Sequence, residues 1–452
     1  MILRFKRLTS QQRKLALSLL ANFSTRVPGL AGVLFFLPRL KAHIGLQPFA
    51  TVMAAIALGG IATFVMGGIG YVSRRLVGDA FSRGDIQGEA DASRGIFDVA
   101  VAAALLCSIG IVGYGFSRGS SGVFYAGALA SAFAVLVQQQ DAVRAAYNEH
   151  YVTAIIQVIL QTLTYAVVLI LLPPSAYSAL LGVLVITAPM ILSSTISLLD
   201  LILKRRYLLG GSHHLRARIA REGIIIGFGE GLLMASLGFV ILYLDFIGAS
   251  AASAWYATTL RLFTVILVPV VLILTPLSSY IRLIWNECSP SRQQTIIFAT
   301  LLVSIIYSTF VGAAMVVLSR LYVGGAMHMA EPGSRLQTLT IFAMFTAVVV
   351  FKSYASVAFV VLDSRKISLS AVVGTLISIG TGAAAVPWLS PVGAVSVFSG
   401  TLTLTIVVIT VADALRFRNT IAEDKARMLN SSTNHLAREV RDYSLDEARD
   451  VA

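Results

Sequence analysis

Four charged residues stand where an apolar helix should carry none: Arg26, Glu230, Arg261 and Lys352 each lie inside a long apolar run. A charge near the centre of a bilayer costs about 2.5–3.5 kcal/mol on insertion scales, so one that persists usually faces a cavity or a partner. Three of the four are cations. Several cations along one water-poor path suit an anion, and a guanidinium matches phosphate oxygens two at a time. Arg26, Arg261 and Lys352 are therefore the candidate substrate-binding residues. Snorkelling would carry the Arg26 guanidinium to the surface, but from the middle of its run that reach is short. Pro28 and Gly29 beside it can free helix carbonyls and make room for a ligand. Glu230 reads either as the ion-pair partner of one of these cations or as a proton-coupling or gating group. Gln138, Gln139, Gln140, Asp141 and Arg144 form a polar run at the end of another apolar stretch. A wet entrance and a helix emerging from lipid both fit that run, so Asp141 and Arg144 join Glu230 as candidates for coupling or gating.

The elements that must hold these residues are apolar helices. The chain is 57% hydrophobic and 13% charged, whereas a globular domain is usually about a quarter charged. Its mean hydropathy is +0.82. Runs of roughly 20 residues, enough at about 1.5 Å per residue to cross a ~30 Å hydrocarbon core, recur along the sequence. Lipid offers no partners to backbone groups, so each run is predicted to be a helix. Twelve spans are predicted, at 15–37, 47–70, 96–117, 121–142, 152–172, 177–203, 223–246, 252–281, 294–319, 337–361, 367–388 and 391–413. Asp98, Asp200 and Asp245 fall near span ends and read as interfacial charges.

The net charge of +13 suggests nucleic acid until its distribution is examined. Arg4, Lys6, Arg7, Arg13 and Lys14 precede the first span, and Arg74, Arg75, Arg83 and Arg94 follow the second. Lys204, Arg205, Arg206, Arg216, Arg218 and Arg221 fill the connector after the sixth. This is the pattern of basic cytoplasmic loops, with both termini inside a bacterial inner membrane and no nucleic-acid partner. The expected fold class is an all-α integral membrane protein of about twelve transmembrane helices in two six-helix lobes. Its parts are an N-terminal lobe 1–203, a connector 204–222, a C-terminal lobe 223–413 and a charged cytoplasmic tail 414–452. The tail either docks a cytoplasmic partner or is solvated. Both lobes start inside, which favours parallel repeats. Ile44-Gly45 and Ile247-Gly248 each open the second helix of a half.

Cys107 and Cys288 lie in different environments and suggest neither a disulfide nor a metal site. The sequence has no G-x-x-x-x-G-K-[ST] nucleotide loop. It also has no outer loop large enough to hold a glycan polymerase's substrate. The reading is a transporter rather than an enzyme, with no cofactor, coupled to the membrane potential, H+ or Na+.

Several stretches carry a resemblance. Gly70-Tyr71-Val72-Ser73-Arg74-Arg75 through Gly84-Asp85 is similar to a basic connector after helix two. Ile247-Gly248-Ala249 with Trp255 to Leu262 is similar to a helix 7–8 junction, and Leu274-Thr275-Pro276 to the end of helix eight. Ser24 to Gly29 resembles the Ser-Arg-x-x-Gly region of the first helix in the lipid II flippase, with one extra residue. Together they resemble the Wzx-type oligosaccharide flippases of the multidrug/oligosaccharidyl-lipid/polysaccharide (MOP) superfamily. Ile44-Gly45-Leu46-Gln47-Pro48-Phe49-Ala50 departs from that family's Leu-Gly-Pro-x-x-Tyr-Gly turn. The resemblance implies two six-helix lobes around a central cavity, alternating access, and a polyprenyl-diphosphate-linked oligosaccharide as cargo. Membrane lipids and polysaccharide assembly proteins are its implied partners. A multidrug/cation antiporter of the same superfamily, which would place acids in its cavity, and a membrane glycan polymerase or ligase are the alternatives.

Overall fold

A computed structural model describes residues 13–416, apart from 15, 22, 66, 118–121, 286–287 and 362–364. Among the described residues twelve helices follow one another with no strand. Helix α1 comprises Arg26–Ala31, a π turn at Gly32–Phe36 and Leu37–Ile44, with helical residues 16–21 before it. Helix α2 comprises Leu46–Val65 and Gly67–Arg83; α3 is Ile86–Ser117 and α4 is Gly122–Ala146. Helix α5 is His150–Ala166 with a π turn at Val167–Leu171, α6 is Ala179–Lys204, α7 is Arg216–Phe246 and α8 is Ser250–Trp285. Then come α9 at Pro290–Leu318 with a π turn at Ser319–Ala326, α10 at Arg335–Val361, α11 at Arg365–Ala385 and α12 at Pro391–Arg416. The twelve predicted spans correspond to these one for one.

The ends differ from the hydropathy reading, and for one reason. Helix α2 runs to Arg83 rather than 70, α3 starts at Ile86 rather than 96, and α7 starts at Arg216 rather than 223. Apolar content marks where a helix touches lipid, while backbone hydrogen bonding continues into water as far as the next breaker. The stretch 70–83, expected as a basic connector, is therefore helical, and the turn waits for Gly84 at φ +72°. Gly45 (φ +81°) and Gly248 (φ +78°) make the α1–α2 and α7–α8 turns, where the left-handed backbone suits a residue without Cβ. The two sites expected to correspond in the two halves each carry a glycine at positive φ, in turns of different length.

Large apolar side chains face outward, as lipid contact requires: Leu106 is 72% exposed, Ile170 77% and Phe310 69%. Small residues let helices approach inside. A Cβ at Gly127 would meet the Ala55 carbonyl at 3.3 Å, and one at Gly59 would overlap Ser131 Oγ, so α2 and α4 pack backbone to backbone. For Gly59 the role is close packing.

Helices α2, α3, α4 and α6 pack together, with α5 on α6 and α1 beside them. Helices α7 to α10 form a second set, with α11 on α7 and α12 joined to α10 and α11. The sets meet chiefly where α7 packs along both segments of α2, and where α8 lies against α2 and the start of α1.

Candidate functional site

Where α2 meets α7 and α8, a cavity of about 150 Å³ opens between the two helix sets. Met53 and Ile56 of α2, Met234 and Leu237 of α7, and Leu260 and Phe263 of α8 form its apolar wall, and Arg261 is the charged residue of its lining. The spacing Leu260, Arg261, Thr264 puts the guanidinium and a hydroxyl on one side of α8, one turn apart. Phe263 stacks on Phe345 of α10 with ring centroids 4.3 Å apart, fixing the helix that presents Arg261.

Tyr165 of α5 lies in the neighbourhood of Arg261. Its ring lies over Gly32, where an added Cβ would overlap the phenol, and its centroid is 6.1 Å from Phe36. Tyr165 thus bridges α5 and α1 at the level of the cavity cation. Sequence reasoning missed it, because one aromatic in an apolar run carries no signal.

Of the three predicted cations, Arg261 lines this space. Arg26 opens the segment Arg26–Ala31, which packs on α8 and α5 and ends beside Gly32, about 9 Å along the helix at 1.5 Å per residue. Its side chain lies outside the described residues. Lys352 does not line the same cavity. Its carbonyl accepts Ser356 Oγ at 2.7 Å, and that hydroxyl is 3.3 Å from Tyr71 Oη of α2, so the Lys352 turn marks the crossing of α10 and α2. Glu230 lies on α7, one turn from Met234 of the wall; its side chain is outside the described residues.

Polar contacts join the two helix sets on both sides of the cavity. At the basic end Arg75 of α2 pairs with Glu222 of α7, which also accepts Arg218 Nε at 3.0 Å, and Gly223 abuts Ile69. At the other end Lys41 donates to the Met327 carbonyl, and Tyr322 donates to the Val33 carbonyl, joining α1 to the end of α9. Glu222 was not among the sequence candidates, because a glutamate between Arg221 and Gly223 reads as an ordinary loop charge. Arg75→Gln is expected to leave stability within about 1 kcal/mol, since the pair is partly solvated. It should also raise maleimide labelling of a cysteine at Ile69, in a Cys107→Ser, Cys288→Ser background, from the basic side.

Asp141 and Arg144 do not line the cavity. Arg144, with a side chain 1% exposed, is clasped among α4, α5 and α6. Its Nη2 donates to Asp200 Oδ2 at 2.7 Å and the Ser197 carbonyl at 2.6 Å, and its Nε to Gln140 Oε1 at 3.1 Å. Asp141 Oδ1 accepts Gln140 Nε2 at 2.5 Å. Asp200, read from the sequence as interfacial, is the counterion of a buried arginine.

Glu149, in the turn after α4, takes both guanidinium nitrogens of Arg205 at 3.0 Å and Lys14 at 3.3 Å. Burial pushes its carboxyl up, but the Arg205 hydrogen bonds and charge, with Lys14, outweigh burial and hold it below the ordinary carboxylate range. A depressed folded value means that the stabilisation is complete above the unfolded value, about 4.3, and fades as pH falls through the folded one. Between pH 7 and pH 4 in detergent, wild type is expected to lose more Tm than Glu149→Gln, which lacks the pair at both pH values.

The chain matches no family model and no curated protein sequence. It does match solved structures over nearly its whole length. An outward-facing multidrug resistance MATE family transporter of the MOP superfamily aligns with a TM-score of 0.63 at 12% identity, covering 92% of this chain and 97% of that one. An inward-facing MATE transporter of that superfamily aligns at 0.57 and 13%, covering 90% and 95%. The eukaryotic MATE transporter AtDTX14 aligns at 0.62 and 12%, covering 91% and 99%. These likenesses establish the fold: a multi-pass helical membrane protein with the MATE arrangement of about twelve transmembrane helices.

Proposed function

We propose that this protein moves an amphiphilic anion, a polyprenyl-diphosphate-linked oligosaccharide, across the bacterial inner membrane by alternating access between the two helix sets. The observation that carries the reading is Arg261. It is a cation in an apolar cavity between the sets, where water is scarce and an anionic head would gain most from a guanidinium. In this reading Arg26 and Lys352 would extend the cationic path beyond the cavity, and Arg75–Glu222 and Tyr322–Val33 are the contacts that rocking would exchange. With both termini cytoplasmic, outward movement of each negative charge gains about 2.3 kcal/mol per 100 mV of inside-negative potential. The potential alone, or exchange with H+ or Na+, can supply the drive, and no enzymatic step or cofactor is invoked. The two lobes proposed to rock are 1–203 and 223–413.

A second reading is supported by the solved neighbours, which are titled multidrug resistance transporters. An exporter of organic cations needs an acid in its cavity; Glu230, one turn from the wall, is the residue that would serve. Reconstituted vesicles separate the two. The flippase reading expects a fluorescent short-chain prenyl-diphosphate disaccharide to exchange leaflets, with ethidium retained. Ethidium movement with no exchange of the diphosphate would overturn it.

A further inference from the structure

A second pocket, of about 160 Å³, lies away from the cavity at the basic ends of α3, α4 and α6, under the short 3-10 turn Arg206–Gly210. Its wall is apolar, including Phe97, Leu136 and Leu198, and Leu208 and Leu209 of the turn cover it. Three polar atoms in its lining are buried and make no hydrogen bond: Ser93 Oγ, Arg94 Nε and Gln139 Oε1. Gln139 as a residue is only 7% exposed. Its Nε2 donates one hydrogen to the Val135 carbonyl at 3.4 Å, and its Oε1 is the buried atom without a partner. The Arg94 Nε stands 3.6 Å from Asp98 Oδ1, beyond hydrogen-bond reach, and Asp98 is already held by His213 at 2.5 Å on its other oxygen. An apolar site that leaves two donors and one acceptor unanswered is incomplete.

We infer that this pocket is a structural lipid site for a glycerophospholipid. The head's phosphate would accept from Arg94 and Ser93, its terminal hydroxyl or ammonium would donate to Gln139 Oε1, and its chains would run along the exposed apolar flank at Phe97 and Leu209. The chemistry is specific in both parts. A phosphate answers the two donors but not the acceptor, and a chain is needed to fill the leucine wall in preference to water. The site also has a consequence for the fold. The turn that covers it belongs to the connector between α6 and α7, so the bound lipid would brace the one covalent link between the helix sets.

Native mass spectrometry of the full chain, purified in mild detergent and titrated with phosphatidylglycerol, tests this without any transport assay. Wild type should hold one phosphatidylglycerol at least fivefold more tightly than Arg94→Gln or Gln139→Leu. Leu198→Trp, which fills the pocket and spares every polar group, should lose the same lipid; should that variant fail to fold, Gln139→Leu carries the test alone. Retention unchanged in the variants would overturn the proposal. So would equal retention of diacylglycerol, which lacks the head, displacement by inorganic phosphate, or no retained lipid in wild type, which would leave the pocket to water.

Discussion

Arg261→Gln is expected to reduce leaflet exchange of a prenyl-diphosphate disaccharide by about 10–100-fold at equal protein level, the equivalent of the ~1.5–3 kcal/mol a charged hydrogen-bonded contact contributes. The estimate rests on where the side chain is. Arg261 lines a cavity whose other walls are mainly methionine, leucine, isoleucine and phenylalanine; Thr264 offers a neutral hydroxyl, and no other side chain of the lining can replace the charge. Arg261→Lys keeps the charge but loses the planar fork and should recover only part of the rate. Tyr165→Phe removes a hydroxyl near the guanidinium and should have a smaller effect, about tenfold or less. The measurement is dithionite quenching of the labelled lipid in proteoliposomes. Wild-type rates in Arg261→Gln would remove the cationic-cavity mechanism.

The same residue marks how far the sequence was legible. A single arginine in an apolar run stands out because the membrane penalises charge wherever it has no cavity or partner, so Arg261 could be named from composition alone. The twelve helices were visible for the same reason. What could not be read was anything that depends on which helices meet. Tyr165 owes its place against α1 to Gly32, more than a hundred residues earlier, and Glu222 becomes a contact between the helix sets only because α2 continues past its apolar stretch to carry Arg75. Helix ends were misjudged at Arg83, Ile86 and Arg216 because the hydropathy signal stops at the lipid boundary while the helix does not. Arg144 is the converse of Arg261. It too is a cation in an apolar helix, but its answering groups, Ser197 and Asp200, lie in α6, so a property read along α4 alone could not tell a gate from a clasp.

That distinction makes the second large effect. Arg144→Leu leaves Asp200 without its closest cation, and takes the side-chain donor from the Ser197 carbonyl and one of two donors from Gln140 Oε1. Removing one partner of a buried pair costs about 3–5 kcal/mol, a large share of the 5–15 kcal/mol that holds a typical domain. The protein should express poorly and unfold many degrees lower in detergent. Asp200→Asn should cost less, because that carboxylate is 32% exposed and the amide still accepts from Arg144. In that variant Arg144 also keeps Glu149 as a counterion at 3.8 Å, with the Ser197 carbonyl and Gln140 Oε1 still accepting from it. A clasp and a gate then part on one pair of readings, thermal unfolding by tryptophan fluorescence and exchange per folded molecule. The clasp loses the first and keeps the second in whatever fraction folds. A gate would keep its unfolding temperature and lose exchange, and that result would return Arg144 and Asp141 to the transport path.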